Sequence, residues 1–383
     1  MSVIDRQALD LVKAPIEDAR GLPNAHYIDP AVFAEERDPL FFKTWAAIGF
    51  GKDLPEVGDA RPITFMTMPL LAVRGKDRQL RVFQNTCRHR GMILVERPTK
   101  IRGAIRCPYH TWAYALDGGL RSTPHVGGAG ESRHPAIKRE ELGLIEVRSA
   151  VWQDVIFVNV DGQAPPFAEH AAALIARWKE FERPLFHGGA DSSFALEVAC
   201  NWKLAVENYC ESYHLPWVHP GLNSYSRLED HYHIEQPGFF SGQGTRVYRP
   251  MMDEGGNRFA NFPGLSDHWE AAGEYIALYP NTLLGVHRDH IYAILLEPVG
   301  EDCTIEHVEI YYASDAMRNS DWASMRAANT RLWQGVFEED VFAVEGMQRG
   351  RYGIKFDGGR FAPAMDGPTH CFHRWVAERL SAD

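Results

Sequence analysis

Two short Cys/His segments constrain the fold of this chain more than any other feature of its sequence. Cys87–His89 is followed, after seventeen residues, by Cys107–His110. Each segment begins with a cysteine and ends with a histidine, so each offers one thiolate and one imidazole. Two thiolates and two imidazoles suit either a tetrahedral zinc ion or a [2Fe–2S] cluster in which two cysteines hold one iron and two histidines the other. Zinc would make this a structural site, whereas the cluster would move electrons.

The residues that flank the two segments favour the cluster. Gly91 follows the first segment and Pro108 lies within the second. Both residues suit tight loops whose backbone N–H groups turn toward cluster sulfurs. Trp112 and Tyr114 come next, and we expect them to shield one side of the site. We therefore predict a cluster and keep structural zinc as the alternative, since its ligand chemistry is similar.

Composition narrows the class of protein. A chain of 383 residues has room for two or three domains, and 45% hydrophobic residues with 24% charged residues is typical of globular proteins. The net charge of −11 argues against nucleic acid as the main partner, because phosphate binding requires a basic surface. Six scattered cysteines do not make a disulfide framework. No signal-peptide-like start and no long apolar run is present, so we expect a cytoplasmic protein without a membrane partner.

The hydrophobic pattern predicts an α+β chain with three regions. Residues 1–41 are expected to form an N-terminal arm with a helix that begins at Asp29–Pro30. Residues 42–160 are expected to form a small all-β domain whose loops carry the two Cys/His segments, with a hairpin turn at Gly75–Arg78. Its β runs are Trp45–Phe50, Ile63–Met66, Leu70–Arg74, Leu80–Asn85 and Val151–Val160.

Residues 161–383 mix strands with helices. A connecting helix is expected at 166–182 and a long helix at Ser320–Arg349. The run Tyr275–Tyr279 fits a helix or a strand equally well, with a break at Pro280. Phe194–Cys200 is expected to form a strand, and an antiparallel set is predicted from three later runs: Leu283–His287, Ile291–Pro298 and Cys303–Ala313.

A second group of polar residues follows residue 200. A helix that begins near 201 would place four side chains on neighbouring turns of one side: Glu207, Asn208, Glu211 and His214. Pro216 would bend this helix and return His219 to the same point as His214. Two imidazoles and a carboxylate form the facial triad of non-haem Fe(II) oxygenases. The alternative is two ordinary histidines on a packed helix. We prefer the metal site because an electron-transfer cluster needs an acceptor.

The third ligand is expected far along the chain. Four apolar residues trace a helical stripe: Phe337, Val341, Val344 and Met347. Asp340 borders this stripe, and a carboxylate there is costly to bury unless a cation or metal pairs with it. We predict Asp340 as the ligand and interpret Glu338 and Glu339 as a solvated pair.

Together these residues resemble the α subunit of the Rieske non-haem iron oxygenases, the ring-hydroxylating oxygenase family. The pattern C-x-H-x17-C-x2-H, the pattern E-x-x-H-x4-H and a late Asp carry the resemblance over nearly the whole chain. It implies that one cluster iron is bound by Cys87 and Cys107, and the other by His89 and His110. It implies three ligands for a mononuclear iron: His214, His219 and Asp340.

The resemblance also implies the fold and the assembly. The fold would be a Rieske β domain followed by a helix-grip catalytic domain, usually in a head-to-tail homotrimer. Asn208 would lie beside the mononuclear iron. Glu211 would bridge a cluster histidine of one subunit to an iron-ligand histidine of its neighbour, and we expect the cluster histidine to be His110.

The same resemblance implies a substrate class. Many family members carry Asp where this chain has Glu211. The glutamate, together with Glu345–Gly350 and Phe372–Trp375, looks more like members that act on quaternary ammonium compounds such as carnitine, choline or betaine. The expected enzyme is an oxidoreductase that uses O2 to hydroxylate a C–H bond, with N-demethylation or C–N cleavage as the outcome. The alternatives are an aromatic-ring dioxygenase, an O-demethylase and, outside enzymes, a zinc-stabilised binding protein.

Two further expectations concern binding. Aromatic faces attract cations, and six aromatic residues lie near the predicted iron ligands in sequence: Tyr213, Trp217, Tyr225, Tyr232, Phe239 and Phe240. The chain has no nicotinamide or flavin fingerprint and no plant-type ferredoxin motif. NAD(P)H would therefore act only through a separate flavin/iron–sulfur reductase.

Overall fold

The structure is a computed structural model that describes residues 3–249 and 258–382. Met1, Ser2 and Asp383, which belong to the predicted terminal regions, lie outside the described residues. The chain divides into two compact units: Ala47–Gln163, and Met1–Ala46 together with Ala164–Asp383. In the part of the chain that is described, no helix is both long enough and apolar enough to cross a membrane.

The smaller unit is built from β strands. They are β1 (Ala46–Phe50), β2 (Asp59–Phe65), β3 (Met68–Arg74), β4 (Leu80–Gln84), β5 (Thr99–Lys100), β6 (Ile105–Arg106), β7 (Ala113–Tyr114), β8 (Leu120–Ser122), β9 (Glu146–Trp152) and β10 (Val155–Asn159). Seven strands form a sheet in the order β1-β10-β9-β4-β3-β2-β5, and β6-β7-β8 form a second, small sheet. Short 3₁₀ turns lie at Gly51–Asp53 and Arg139–Glu141.

Most of the predicted β runs are confirmed, and one is corrected. The Gly75–Arg78 turn joins the antiparallel pair β3 and β4, and Arg78 has a φ of 63°. The predicted single run Val151–Val160 is wrong, because β9 ends at Trp152 and β10 folds back on it. The two residues between them, Gln153 and Asp154, have φ values of 50° and 62°. Positive φ at both central residues is the geometry of a tight two-residue hairpin.

The larger unit begins with the N-terminal arm. Its helices are α1 (Arg6–Val12), α2 (Ala25–Ile28) and α3 (Pro30–Glu36), followed by a π-helical segment, Arg37–Phe42. The predicted start of α3 is confirmed: the Asp29 carboxylate accepts a hydrogen bond from the Ala31 N–H at 2.8 Å. Capping of this kind satisfies a backbone donor that the first helical turn leaves free.

In the rest of the larger unit, the residues that the structure describes form seven helices. They are α4 (Phe167–His170), α5 (Ala172–Arg177), α6 (Trp202–Tyr209), α7 (Leu215–Val218), α8 (Pro220–Asn223), α9 (Ala323–Gly350) and α10 (Gly367–Ser381). The predicted connecting helix at 166–182 is not continuous: it is divided into α4, α5 and a 3₁₀ turn at Lys179–Phe181. The backbone leaves the helical region at Ala171 and again at Trp178. The long helix predicted at Ser320–Arg349 is confirmed as α9.

A sheet to which the described residues contribute eight strands supports these helices. Its strands are β11 (Phe186–His187), β12 (Ser193–Val198), β13 (His231–Gln236), β14 (Phe240–Thr245), β15 (Gly273–Leu278), β16 (Thr282–His287), β17 (His290–Pro298) and β18 (Thr304–Tyr312). The order is β11-β18-β17-β16-β15-β14-β13, and β12 pairs with β18. The pairings from β13 to β18 are antiparallel, as predicted for three of these strands. The run Tyr275–Tyr279 is therefore mostly strand, within β15.

Three helices pack near this sheet and near each other. α6 contacts α9, α10 and the strands β15 and β17, while α9 also contacts β12. This arrangement brings the segment after residue 200 close to α9, although more than one hundred residues separate them in sequence. The fold class predicted from the sequence, α+β with an antiparallel sheet and helices, is confirmed.

Candidate metal centres

The segment that carries the predicted iron-site histidines is not one bent helix. Asn201 caps α6 by accepting a hydrogen bond from the Lys203 N–H at 3.1 Å, and α6 ends at Tyr209. The prediction that Glu207 shares one helix side with His214 is wrong. Its carboxylate instead accepts a hydrogen bond from the Tyr27 hydroxyl at 2.5 Å. The helix ends before Glu211 and His214, so helical spacing does not relate their side chains to Glu207.

Pro216 begins a helix rather than bending one. It occupies the first turn of the one-turn helix α7, where the missing N–H of proline costs nothing. His214 immediately precedes α7 and His219 immediately follows it. The two imidazole rings lie 5.0 Å apart between centroids. A single helical turn between the two residues thus places both rings at one point, where a long helix would have separated them.

α9 supplies the carboxylate that completes the group. Asp340 Oδ1 lies 3.0 Å from His219 Nε2 and 3.6 Å from His214 Nε2. The ligand atoms of these three residues all lie within 4.8 Å of one another. Asn208, from α6, donates a hydrogen bond from Nδ2 to the same Asp340 oxygen at 3.1 Å. Two imidazoles and one carboxylate in this arrangement fit an Fe(II) ion with open coordination positions.

Each imidazole is also hydrogen-bonded at Nδ1, on the side away from Asp340, by a carboxylate of its own. Glu211 Oε1 lies 2.5 Å from His214 Nδ1, and Glu339 Oε2 lies 2.8 Å from His219 Nδ1. A carboxylate at Nδ1 keeps the proton on that nitrogen, which leaves Nε2 free to bind a metal. Both Nε2 atoms face Asp340, so the two tautomers suit one shared ion.

Glu339 is the site residue that sequence reasoning missed. We predicted a solvated pair with Glu338, and the Glu339 side chain is indeed 45% exposed, yet it bonds to His219. Its position next to Asp340 was the available signal, since a residue beside a ligand on a helix points about 100° away and can reach the flank of the site. Only the position of His219 relative to α9 shows that it does.

The carboxylates also set the charge of the site. Burial alone lowers the pKa of His219, but hydrogen bonds and charge attraction from Asp340 and Glu339 outweigh burial and raise it. Glu306, on β18, lines a small cavity behind Asp340. Burial, and then the charge of Asp340, raise the pKa of Glu306 from 4.5 to about 8. A carboxyl with this pKa is mostly protonated near pH 7, so Glu306 adds little negative charge to the site.

A narrow cavity opens to solvent beside the three ligands. Its lining includes five aromatic side chains contributed by α6, β15, β17 and α9: Tyr209, Tyr275, Tyr292, Trp333 and Phe337. Asn208, His231 and Gln243 add polar groups.

The aromatic residues that we expected near the iron do not line this cavity. Trp217 is 71% exposed, and Tyr213 packs against it with ring centroids 5.8 Å apart. The Tyr232 hydroxyl donates to Glu274 at 2.8 Å, away from the cavity. Proximity in sequence was a poor guide, because the sheet brings in rings from strands and a helix far along the chain.

In the smaller unit, the two Cys/His segments form equivalent loops. In each loop the cysteine N–H bonds to the carbonyl five residues later, Met92 or Trp112, at 2.8 Å. The backbone N–H of the residue four positions after each cysteine donates a hydrogen bond to the cysteine carbonyl. This residue is Gly91 in the first loop and Thr111 in the second, with φ values of 73° and 56°. The tight turn predicted at Gly91 is therefore present, and the second loop makes the same turn without glycine.

The thiols face inward and the imidazoles face outward. Cys87 and Cys107 are 3% and 2% exposed and belong to the hydrophobic core of the unit. His89 and His110 lie nearer the surface, with ring centroids 4.7 Å apart. Separate thiol and imidazole pairs fit a two-iron cluster.

Neighbouring aromatic side chains contact the predicted cluster ligands, and the surroundings shift the pKa values of Cys87 and His89. The Tyr114 hydroxyl lies 3.3 Å from Cys87 Sγ, and Trp112 stacks on His89 with ring centroids 4.8 Å apart, as expected for shielding residues. Burial raises the pKa of the Cys87 thiol, so it ionises only when a metal stabilises the thiolate. Burial, and then His110 and Arg90, lower the pKa of His89, which favours the neutral imidazole that binds metal.

Comparison with known families agrees with both centres. Residues 44–136 match the Rieske [2Fe–2S] domain, and residues 187–382 match the ring-hydroxylating α subunit (catalytic domain). The carnitine monooxygenase oxygenase subunit of Acinetobacter pittii is 26% identical over 91% of this chain and 90% of its own length. The chloroplastic choline monooxygenase of Beta vulgaris is 26% identical over 96% of this chain and 78% of its own length.

Solved structures share the fold. The quaternary ammonium Rieske monooxygenase CntA superposes with a TM-score of 0.77 at 22% identity and covers 99% of both chains. Naphthalene 1,2-dioxygenase from Rhodococcus superposes with a TM-score of 0.78 at 17% identity over 99% of this chain and 98% of that one. These likenesses concern the fold, since both identities are low.

The catalytic-domain match covers half of the chain, the Rieske match covers the Cys/His segments, and the donor groups in the structure fit both metals. The chain therefore belongs to the ring-hydroxylating α-subunit family, and it is a Rieske non-haem iron oxygenase that uses a [2Fe–2S] cluster, a mononuclear iron and O2.

Proposed function

We propose that this chain is the terminal oxygenase component of a monooxygenase that hydroxylates a C–H bond of a quaternary ammonium or betaine-like substrate. The observation that carries this proposal is an aromatic-lined cavity beside a site with excess negative charge. Three carboxylates surround the metal position: Asp340, Glu211 and Glu339. Against a divalent iron they leave one negative charge, which favours a cation next to the metal. Named relatives act on carnitine and choline, which are such cations.

Each metal ligand has an assigned place in this proposal. Cys87 and Cys107 bind one cluster iron, and His89 and His110 bind the other. The mononuclear iron is bound by three residues: His214, His219 and Asp340. When bound, the cluster supplies single electrons and the mononuclear iron activates O2.

Two residues hold the iron ligands in position. The hydrogen bond from Asn208 to Asp340 orients that carboxylate. Glu211 holds the Nδ1 proton of His214, and backbone N–H groups of Tyr213 and His214 bond to its other oxygen. Glu211 is therefore fixed in one orientation by its own loop. This suits a residue that must also contact a cluster histidine of the neighbouring subunit.

The assembly and partners form part of the same proposal. Residues 1–41 act as an arm on the catalytic domain, 42–160 as the cluster domain and 161–383 as the mononuclear iron domain. The protein works as a homotrimer in which His110 of one subunit faces Glu211 of the next. A separate flavin/iron–sulfur reductase delivers the electrons of NAD(P)H.

The product depends on which carbon is hydroxylated. One oxygen atom of O2 enters a C–H bond of an N-methyl group to give C–OH, while two electrons from the reductase and two protons reduce the other oxygen atom to water. The C–N bond then breaks and its electron pair stays on nitrogen, while the hydroxyl proton is released. The products are a tertiary amine and formaldehyde. Hydroxylation at another carbon attached to nitrogen leads to C–N cleavage by the same electron flow.

The experiment is substrate-dependent O2 uptake with a surrogate reductase and NADH. Carnitine, choline and glycine betaine are compared with aromatic acids, and products are identified by mass spectrometry. We expect uptake with at least one quaternary amine and none with the Asp340→Ala variant. Dihydroxylation of an aromatic acid without any quaternary amine turnover would overturn the proposed substrate class. Sustained NADH turnover without reductase would overturn the proposed partner.

A further inference from the structure

The segment that carries Glu211 lies between two helices and belongs to neither. It connects α6, which ends at Tyr209, to α7, which begins at Leu215. The Glu211 carboxylate is hydrogen-bonded to Tyr213 and His214, which lie in the same segment. These bonds fix the shape of the segment but would move with it. The place of Glu211 relative to the rest of the domain is therefore set by contacts from other elements.

The sheet supplies such a contact through Gln243. This residue lies on β14 and is buried, and its Nε2 donates a hydrogen bond to the backbone carbonyl of Glu211 at 2.8 Å. A carbonyl can only accept, so the amide nitrogen must face it and Gln243 Oε1 must point the other way. Gln243 thus ties to the sheet the residue whose carboxylate bonds to the predicted iron ligand His214.

His231, on the neighbouring strand β13, fixes the orientation of this amide. In the antiparallel pairing His231 lies opposite Thr245, and Gln243 lies two residues earlier on the same face. Side chains in this diagonal arrangement can reach each other. His231 Nδ1 lies 2.5 Å from Gln243 Oε1, and because an amide oxygen only accepts, the imidazole proton must lie on Nδ1. His231 therefore holds the amide in the orientation that donates to Glu211.

Two buried hydroxyl groups anchor His231 in turn. Its Nε2 lies 3.0 Å from Ser226 Oγ, which lies 3.1 Å from Thr245 Oγ1. The Thr245 hydroxyl donates to the backbone carbonyl of Val247 at 3.0 Å. Both hydroxyl residues are fully buried. A buried polar chain in which each member has partners is rigid, so this one links Glu211 firmly to the end of β14.

We propose that Gln243 is a positioning residue for Glu211 and that His231 is a positioning residue for Gln243. The sheet would then set the place from which Glu211 meets the cluster histidine of the neighbouring subunit. This inference rests on the proposed bridging role of Glu211 and adds to it the residues that hold the bridge. The two hydrogen bonds of Gln243 involve no predicted metal ligand. Their loss should therefore affect electron transfer between the two centres more than it affects iron binding.

The test avoids substrate, because Gln243 and His231 also line the cavity and a turnover assay would mix positioning with substrate contact. Full-length protein with an oxidised cluster and a ferric mononuclear iron is mixed with limiting dithionite. Dithionite reduces the cluster, and the electron then passes to the ferric iron. Rapid-freeze electron paramagnetic resonance follows the decay of the reduced cluster, which gives the rate of this transfer.

Gln243→Met fills a similar volume without a hydrogen-bond donor. We expect it to slow the transfer by about tenfold, the lower limit for loss of a group behind a metal ligand. The affinity for Fe(II), measured by competition with a chelator, should fall less than roughly threefold, because the bond between Glu211 and His214 remains within the segment. The reduction potential of the cluster, measured by voltammetry, should not change.

Two variants of His231 test how it acts. His231→Leu should slow the transfer severalfold. His231→Asn should keep most of the rate, because its amide nitrogen lies near the position of Nδ1 and can donate to Gln243. If His231→Asn is as slow as His231→Leu, or if His231→Leu transfers at the wild-type rate, the role of His231 as the donor is overturned.

Gln348 offers a matched control for the loss of a buried amide. It is buried, and its Nε2 donates to the backbone carbonyl of Tyr27 at 2.8 Å, but it does not line the cavity. Gln348→Met should leave the transfer rate unchanged. Equal slowing by Gln348→Met and Gln243→Met would show a general effect of losing a buried amide, and the positioning role would be overturned.

A double variant shows whether Gln243 acts through Glu211. Gln243→Met should not slow the transfer further in a Glu211→Ala background, whereas independent effects would multiply and would overturn the proposal. If Glu211→Ala alone transfers at the wild-type rate, the proposed bridging role of Glu211 is wrong and the positioning role is wrong with it. If Glu211→Ala is slow and Gln243→Met keeps the wild-type rate, only the positioning role is overturned.

Discussion

The hydrogen bond from His219 to Glu339 makes a sharp prediction about iron affinity. Glu339→Ala removes a carboxylate 2.8 Å from His219 Nδ1 and leaves Asp340, His214 and the cavity in place. Loss of a carboxylate behind a metal-binding histidine costs 10- to 100-fold in metal affinity. The Glu339 side chain is 45% exposed, so water screens its charge and we expect the lower limit, about tenfold.

Glu339→Gln divides this effect into two parts. The amide oxygen can still accept the His219 proton, whereas the negative charge is lost. We expect the affinity to fall only roughly threefold, since a neutral acceptor keeps the tautomer but donates less electron density. Affinity is measured by competition for Fe(II) with a chromophoric chelator under anaerobic conditions.

Glu338→Ala is the matched control. Glu338 is the preceding residue of α9, and its carboxylate accepts a hydrogen bond from Gln334 at 2.7 Å. The substitution removes the same charge from the same helix without touching His219, so the affinity should stay within twofold of wild type. Equal losses for Glu338→Ala and Glu339→Ala would show that net charge alone matters and would refute the role of the hydrogen bond.

Three further predictions test other parts of the structure. Because folding raises the pKa of Glu306 from 4.5 to about 8, the folded state binds this proton more tightly, and the iron-free protein should lose stability as pH rises from 4.5 to 8. Glu306→Gln should therefore be more stable than wild type at pH 7 by up to about 3 kcal/mol in urea denaturation, with no difference near pH 4. Tyr114→Phe removes the hydroxyl beside Cys87 Sγ and should lower the cluster potential by on the order of tens of millivolts in voltammetry, because hydrogen bonds to sulfur stabilise the reduced cluster; an unchanged potential would contradict this. Lys203→Met leaves the buried Glu36 without its cation at 2.6 Å and should cost about 3–5 kcal/mol of unfolding free energy, whereas a loss below 1 kcal/mol would show that Glu36 takes up a proton instead.

The sequence was most informative where chemistry is carried by short spacings. The two Cys/His loops are local, since each is closed by hydrogen bonds between a cysteine and residues four and five positions later. The α+β class and the long helix α9 were also readable, because apolar periodicity reports directly on strands and helices.

The local sequence pattern predicted the wrong secondary structure at two places where the backbone changes direction. We expected one helix bent at Pro216, but α6 ends at Tyr209 and proline begins a new turn. The expected strand Val151–Val160 contains a hairpin at Gln153 and Asp154, which carry no glycine to mark it. Neither break has a strong residue signal, so only the folded chain shows it.

The amino-acid sequence by itself determined the ligand types, the two-loop cluster motif and the family. The tertiary structure alone decided which residues surround the metal and the cavity. Glu339 and Trp333 lie on α9, more than one hundred residues after His214 and His219. Long-range packing of α6, α9 and the sheet brings these groups together. Their spacing along the chain does not reveal which of these side chains become neighbours, because that depends on how the helices and the sheet pack.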